Sequence, residues 1–222
     1  MSVRKVVTRR SNHFRAIIPS RKNPHPTPCE SILEAEFVRF LELSPTVASF
    51  TAQPMKLELQ VGDEMQRYFP DFHVFLTDGK DVWCEVKPAA RLAVARVAAR
   101  MSAAHARFAR DGSKFVVVTD TWLHQEPRRS NVAGLMYHRR APLHPVEVKA
   151  IERQLHVASP KILVALEELL GKDLAWRLLG AGLVGVDLEK VIEPQSQIFL
   201  TGGCRRRSNI DQVYRLNFDQ GR

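Results

Sequence analysis

Residues Lys114–Thr119 read Lys-Phe-Val-Val-Val-Thr. A strand that is apolar on consecutive residues has no face to give to water, so this run predicts a buried, parallel strand. A strand of that kind needs cover on both faces, which points to an α/β layer. The preceding sequence supplies the cover. Glu30 to Leu43 predicts a helix with Leu33, Phe37, Phe40 and Leu41 on one stripe about 100° wide. Ser44-Pro45 ends it. Val47 to Leu59 reads as a loop and a strand. Gln66–Leu76 alternates: Tyr68, Phe72 and Val74 point one way, and Phe69, Asp71, His73 and Phe75 the other, with Pro70 marking an edge or bulge. Thr77-Asp78-Gly79-Lys80 is turn chemistry, and Asp81–Lys87 is a second strand, so the two form a β-hairpin.

Ala89–Arg110 predicts one helix carrying two stripes. Val94, Val97, Met101 and Phe108 lie within about 60° and form a core face. Arg96, Arg100, Arg107 and Arg110 form a separate basic face. Arg128–Arg140 predicts a further short helix, and Pro142 and Pro145 mark a linker. Helices are expected at Val146–His156, Pro160–Leu170 and Leu174–Leu179. Leu183–Leu188 and Gln197–Thr201 can pair as a wing, giving a winged-helix-like C-terminal part. The expected organisation is a basic extended arm at 1–28, an α/β domain at 29–142, a small helical domain at 146–203 and an Arg-rich tail at 204–222.

Charge narrows the partners. The chain has 33 Lys and Arg against 24 Asp and Glu, for a net +9. The excess is concentrated in residues 1–29, 87–110 and 204–222, which together carry +16 and leave the remainder at −7. A clustered basic excess on an acidic body is the footprint of a polyanion, most often nucleic acid. No apolar run approaches the roughly 18 residues that span a bilayer, and no secretory signal is recognisable. Three widely spaced cysteines, Cys29, Cys84 and Cys204, exclude a disulfide framework or a Cys-rich zinc site. The expectation is a cytoplasmic protein without a membrane partner.

Chemistry concentrates in the hairpin. Glu85 and Lys87 project from one face of their strand, with Val86 on the other. Asp71 can reach that face across the hairpin, and either Glu34 or Glu30 can approach from the helix. Two or three carboxylates with one ammonium at a sheet edge suit a hard divalent cation such as Mg²⁺, which takes one or two protein carboxylates plus phosphate oxygens. Such a metal activates water and stabilises charge on a scissile phosphate, while the lysine holds the water or neutralises developing charge. The apolar neighbours Trp83, Cys84 and Val86 argue against a merely solvated Glu-x-Lys pair. Arg96, Arg100 and Arg107 follow directly and can track a phosphate backbone.

Other constellations fail. Gly180-x-Gly182-x-x-Gly185 follows a helix and precedes a strand, the reverse of a dinucleotide-binding turn, so it reads as a helix cap. The eight histidines include no pair four apart. His73 suits packing or a phosphate contact better than base catalysis, and Cys84 belongs to the core.

Several ordered motifs resemble one family. They are Glu30-Ser31-Ile32-Leu33-Glu34 opening a helix; Val47 with Phe50 and Gln53-Pro54; Phe69-Pro70-Asp71-Phe72; Glu85-Val86-Lys87-Pro88-Ala89-Ala90; Val117-Val118-Thr119-Asp120; and Arg129 to Tyr137. Over about residues 28–140 the chain resembles the TnsA family, the endonuclease subunit of heteromeric transposases. The resemblance implies a restriction-endonuclease-like catalytic domain with Glu34, Asp71, Glu85 and Lys87 as the catalytic set. Glu34, Asp71 and Glu85 would hold Mg²⁺, with Mn²⁺ as a substitute. It also implies cleavage of double-stranded DNA at the 5′ ends of a mobile element, with a TnsB-like strand-transfer subunit and a TnsC-like ATPase regulator as partners, in association with the nucleoid. The alternatives are another nuclease on the same fold, of restriction or junction-resolving type, and a non-catalytic DNA-binding module.

Overall fold

A computed structural model describes residues 15–44, 46–139 and 143–200. The start of the basic arm, Pro142 of the expected linker, Cys204 and the Arg-rich tail lie outside the described residues. Two compact units divide between His124 and Gln125, with Leu43 and Ser44 grouping with the second. Among the described residues no helix is long and apolar enough to cross a membrane.

The first unit begins with an antiparallel ribbon of β1 (Ala16–Ile18) and β2 (Thr27–Cys29). Helix α1 (Ile32–Leu43) follows. Its buried Glu42 accepts hydrogen bonds from the Ser20 hydroxyl and, at 3.0 Å, from the Arg21 N–H, which fastens the loop of the ribbon to the helix. Then come β3 (Val47–Ala52), β4 (Leu57–Val61), β5 (Glu64–Tyr68), β6 (Phe72–Leu76), β7 (Asp81–Val86), the short α2 (Ala89–Leu92), α3 (Ala95–Arg110), β8 (Lys114–Val118) and α4 (Asp120–Leu123). Strands β3, β6, β7 and β8 form a mixed sheet in that order. β8 alone runs parallel to its neighbour, and β4 pairs with β5 as a separate hairpin.

Both sheet faces are covered, as the apolar β8 requires. On one side the Phe37 ring of α1 meets Phe72 edge-on at 5.4 Å. On the other, Phe108 of α3 stacks on Trp83 at 4.9 Å and on Phe115 at 5.2 Å. The β4–β5 hairpin closes that second core, where Leu59 and Tyr68 are buried with Met101, Ala104 and Phe108. A mixed sheet flanked by helices is the architecture expected of a restriction-endonuclease-like domain.

Four local expectations need correction. Gln66–Leu76 is not one strand: β5 and β6 have different partners, because Pro70 has no N–H to donate to a ladder. Val47–Leu59 holds two strands rather than one. The long helix breaks at Val94, whose backbone is extended (φ −78°, ψ 117°). Val94 is therefore 45% exposed instead of in the core stripe, which α3 builds from Met101, Ala104 and Phe108. Helix α7 starts at Leu163, not Pro160, because Ile162 is an extended residue bridged to Gln197.

The second unit holds α5 (Arg128–Tyr137), α6 (Pro145–Ala158), α7 (Leu163–Leu170), α8 (Lys172–Gly180) and the antiparallel pair β9 (Val184–Val186) with β10 (Ile198–Leu200). The glycine series is structural. A Cβ on Gly180 would stand 2.5 Å from the Leu135 carbonyl oxygen, so Gly180 lets α8 approach α5 closely, and Gly182 takes a left-handed φ of +69° in the turn that follows.

Candidate active site

The register of the sheet sets the site. β3 pairs Ala52 with Phe72, and β6 pairs Phe72 with Cys84. One step further, Gln53, Asp71 and Glu85 stand in a row across three strands, and β8 continues it with Val117 opposite Glu85. The Gln53 N–H donates to the Asp71 carbonyl at 2.8 Å, so the row is hydrogen-bonded through Asp71. The alternation that buries Val82, Cys84 and Val86 on the face Cys84 shares with Phe72 turns Glu85 to the opposite face.

Asp71, Glu85 and Lys87 come together as the alternation predicts. Lys87 Nζ lies 2.8 Å from Glu85 Oε1 and 3.4 Å from Asp71 Oδ2. The same Asp71 oxygen accepts the Val86 N–H at 2.8 Å. The Asp71 and Glu85 side chains are 12% and 5% exposed and that of Lys87 is 32% exposed, so Lys87 is the most exposed of the three. Lys87 is held by its backbone as well: its N–H donates to the Val118 carbonyl at 3.0 Å, and two residues on the Ala89 N–H donates to Asp120 Oδ1 at 2.7 Å.

The electrostatics are one-sided. Burial pushes the Asp71 carboxyl well above the usual carboxylate range, and the neighbouring charge of Glu85, then that of Glu34, pushes it further; Lys87 and the Val86 N–H only partly oppose this. Burial alone would lower the Lys87 ammonium, but Asp71 and Glu85 outweigh it and raise it above its ordinary value. Lys87 is therefore a fixed cation at neutral pH, suited to holding an anion or a water rather than to removing a proton.

Glu34 is placed differently. Its Oε2 accepts the Glu30 N–H at 2.7 Å, its Oε1 accepts the Ser31 hydroxyl at 2.9 Å, and its own N–H donates to Ser31 Oγ at 3.1 Å. That is a capping arrangement at the start of α1, and Ser31-x-x-Glu34 is its sequence signature. Burial raises the Glu34 carboxyl above its ordinary value, and these two hydrogen bonds oppose it only in part. Glu34 feels the Lys87 charge but is not hydrogen-bonded to it in this arrangement. Among the described residues no three Asp, Glu, His or Cys side chains converge closely enough to hold a metal ion. The converging carboxylates are two, Asp71 and Glu85.

Sequence reasoning missed the group that holds Glu85. The buried Tyr68 hydroxyl donates to Glu85 Oε2 at 2.7 Å, and burial together with Glu85 raises its pKa. The only signal was an apolar position on an alternating run, which marks a core tyrosine but not its partner 17 residues away. The basic stripe is also partly engaged. Arg96 is exposed, but the Arg100 guanidinium sits 5.3 Å over the Tyr68 ring and donates to the Arg67 carbonyl, while Arg107 is ion-paired with Asp111. His73 stacks on Trp83 at 3.8 Å and its Nε2 lies 2.5 Å from Asp81, a packing role. Cys29 and Cys84 are buried free thiols.

Comparison with known families matches residues 44–120 to the family model described as the TnsA-like endonuclease N-terminal domain. Residues 44–120 are thus similar to a TnsA-like endonuclease N-terminal domain. Asp71, Glu85, Lys87 and Tyr68 all fall inside the TnsA-like segment, and Glu34 lies ahead of it. No curated protein matches the chain.

Proposed function

We propose that this protein is a metal-dependent DNA endonuclease of the transposase type, hydrolysing phosphodiester bonds at the 5′ ends of a mobile element. The carrying observation is the convergence of buried Asp71 and Glu85 on Lys87 at the end of a sheet, within a TnsA-like endonuclease domain. The donor set supports Mg²⁺: Asp71 and Glu85 are the one or two hard carboxylates that ion takes, and a single ammonium under-neutralises them. When bound there, a divalent cation would supply Lewis-acid stabilisation of the scissile phosphate and an activated water. Tyr68 fixes Glu85 in rotamer. The Val86 N–H and Lys87 fix Asp71. The Lys87 ammonium, partly exposed and permanently charged, binds a phosphate oxygen or orients a water at Nζ. Glu34 joins the catalytic set if its carboxylate leaves the α1 cap.

The remaining assignments belong to the same reading. Residues 29–142 would form the nuclease domain, with α5 packed in the second unit, and 146–203 a helical, winged-helix-like domain, supported by the helices α6 to α8 followed by the β9–β10 pair. Arg96, Arg100 and Arg107 would contact phosphates. A TnsB-like strand-transfer subunit and a TnsC-like ATPase regulator would be the partners, at the nucleoid in the cytoplasm.

The test is strand cleavage of DNA carrying element ends, in Mg²⁺ or Mn²⁺, with and without the strand-transfer subunit. Wild type should nick the 5′ strand, and Asp71→Ala and Lys87→Ala should bind DNA without cutting it. Cleavage by both variants would end this reading.

A further inference from the structure

Gln53-Pro54 belongs to the motif series, yet nothing in the chemistry above uses Gln53. Its structure is unusual in two independent ways, and its backbone ties it to the site. The residue is only 6% exposed, and its Oε1 is buried with no hydrogen-bond partner. Its φ is +43°, in the left-handed region that a non-glycine residue avoids. Its N–H is the donor that ties β3 to the Asp71 carbonyl. An orphaned buried acceptor and a left-handed side-chain-bearing residue each destabilise the fold. A glycine would take the same φ without strain, and an apolar side chain would fill the space without an orphaned oxygen. Features of this kind persist where function requires them.

The position says which function. Gln53 stands beside Asp71 in the row that runs Gln53, Asp71, Glu85, and neighbouring strands are about 5 Å apart. The carboxamide oxygen of a residue one strand from a buried carboxylate would gain its missing donor from a water held at the site. We infer that Gln53 is a positioning residue of the active site, whose Oε1 accepts a hydrogen bond from the water that attacks the phosphodiester. The inference rests on the nuclease reading. In the step, the water oxygen bonds to phosphorus as a phosphoester P–O bond breaks. One water proton stays directed at Gln53, the other is released to solvent, and the departing alkoxide takes a proton from solvent. Holding that O–H line aims the water lone pair at phosphorus, so the amide lowers the barrier without touching DNA itself.

The experiment compares Gln53→Met, which keeps the bulk and loses the acceptor, with Gln53→Gly, which also relaxes the left-handed φ. Each is measured in the full chain for DNA affinity in EDTA, for metal-free thermal midpoint, and for single-turnover cleavage at saturating DNA across a Mg²⁺ titration. Gln53→Met should melt no lower than wild type, bind DNA within about twofold, and cleave about 10- to 100-fold more slowly with an unchanged Mg²⁺ requirement. Gln53→Gly should show the same rate loss, which keeps the test alive where the Met variant folds poorly. Wild-type rate per folded molecule in both variants, with Asp71→Ala inert, would overturn the role of Gln53 and leave the nuclease reading standing. A raised Mg²⁺ requirement would overturn the water assignment by making the amide a cation ligand. Cleavage by Asp71→Ala and Lys87→Ala would remove both readings together.

Discussion

Each unit of this molecule buries charge, and the two do so in opposite ways. In the second unit Arg128, 5% exposed at its side chain, meets Glu189 with two parallel hydrogen bonds, Nε to Oε1 at 2.8 Å and Nη2 to Oε2 at 2.6 Å. The neighbouring Asn131 amide donates to the Leu188 and Lys190 carbonyls. The guanidinium and the carboxylate meet in a fork whose geometry suits both. In the first unit one ammonium, Lys87, faces Asp71 and Glu85, with Glu34 close enough to be felt. A buried guanidinium matched to a carboxylate at the surface fastens a fold. An overloaded cluster is destabilised by its own charge until a cation arrives, and that imbalance is the physical mark of a site rather than a brace.

The largest effect should separate chemistry from bracing. Lys87→Ala and Asp71→Ala should each lower cleavage by about 100- to 1,000-fold, the range for removing a group that meets developing charge, while the DNA affinity measured by gel shift in EDTA stays near wild type. Arg128→Ala should do the reverse. Loss of its charged hydrogen bonds should destabilise the second unit by about 2 kcal/mol, read by urea denaturation, with cleavage per folded molecule unchanged. A cleavage defect in Arg128→Ala beyond its folded fraction would blur the contrast. Tyr68→Phe lies between: removing the donor to Glu85 should slow cleavage about 10- to 100-fold and leave DNA affinity intact.

Imbalance also has a pH signature. Because Asp71 is raised in the folded state, its contribution to stability is full below the ordinary carboxylate value near 4 and is lost as pH rises through the higher native value. In EDTA, Asp71→Asn should therefore melt above wild type by a few degrees at neutral pH, and the gap should close as pH falls toward about 4. Added Mg²⁺ should raise the wild-type midpoint and leave that of Asp71→Asn unmoved. Equal midpoints for the two proteins across pH would mean that the carboxylates are not overloaded. The smallest effect belongs to the basic stripe. Arg96→Gln should reduce the log–log salt slope of DNA binding by about one. Arg107→Gln should change it less, because Asp111 already neutralises that guanidinium.

The hairpin carrying Asp71, Glu85 and Lys87 was legible because alternation fixes facing, and Thr77–Lys80 fixes where the chain turns. The buried parallel strand was legible because Phe115–Val118 leaves no polar face. What failed were breaks that periodicity passes over. Tyr68 and Phe72 keep the parity of one strand across Pro70, and Val94 keeps helical phase with Val97 although its backbone is extended. Contacts made across long separations were silent for a different reason. The Tyr68–Glu85 bond and the capture of Ala89 by Asp120 depend on where other strands arrive, and no local pattern encodes that. Glu34 carried two compatible signals, a cap and a ligand, and Ser31 beside it was the sign of the first.

The backbone clamp on Lys87 also sets an order in time. Its N–H is held by Val118, and the Ala89 N–H just beyond it by Asp120, about thirty residues downstream. A nascent chain that has emerged through Lys87 contains the acid–ammonium cluster in covalent form but lacks the edge that aligns it. The parallel pairing of β7 with β8 must wait for the crossover through α3, a non-local closure that forms late. The ribosome therefore releases this chemistry in two instalments, the groups first and their alignment only with the arrival of the strand at residues 114–118.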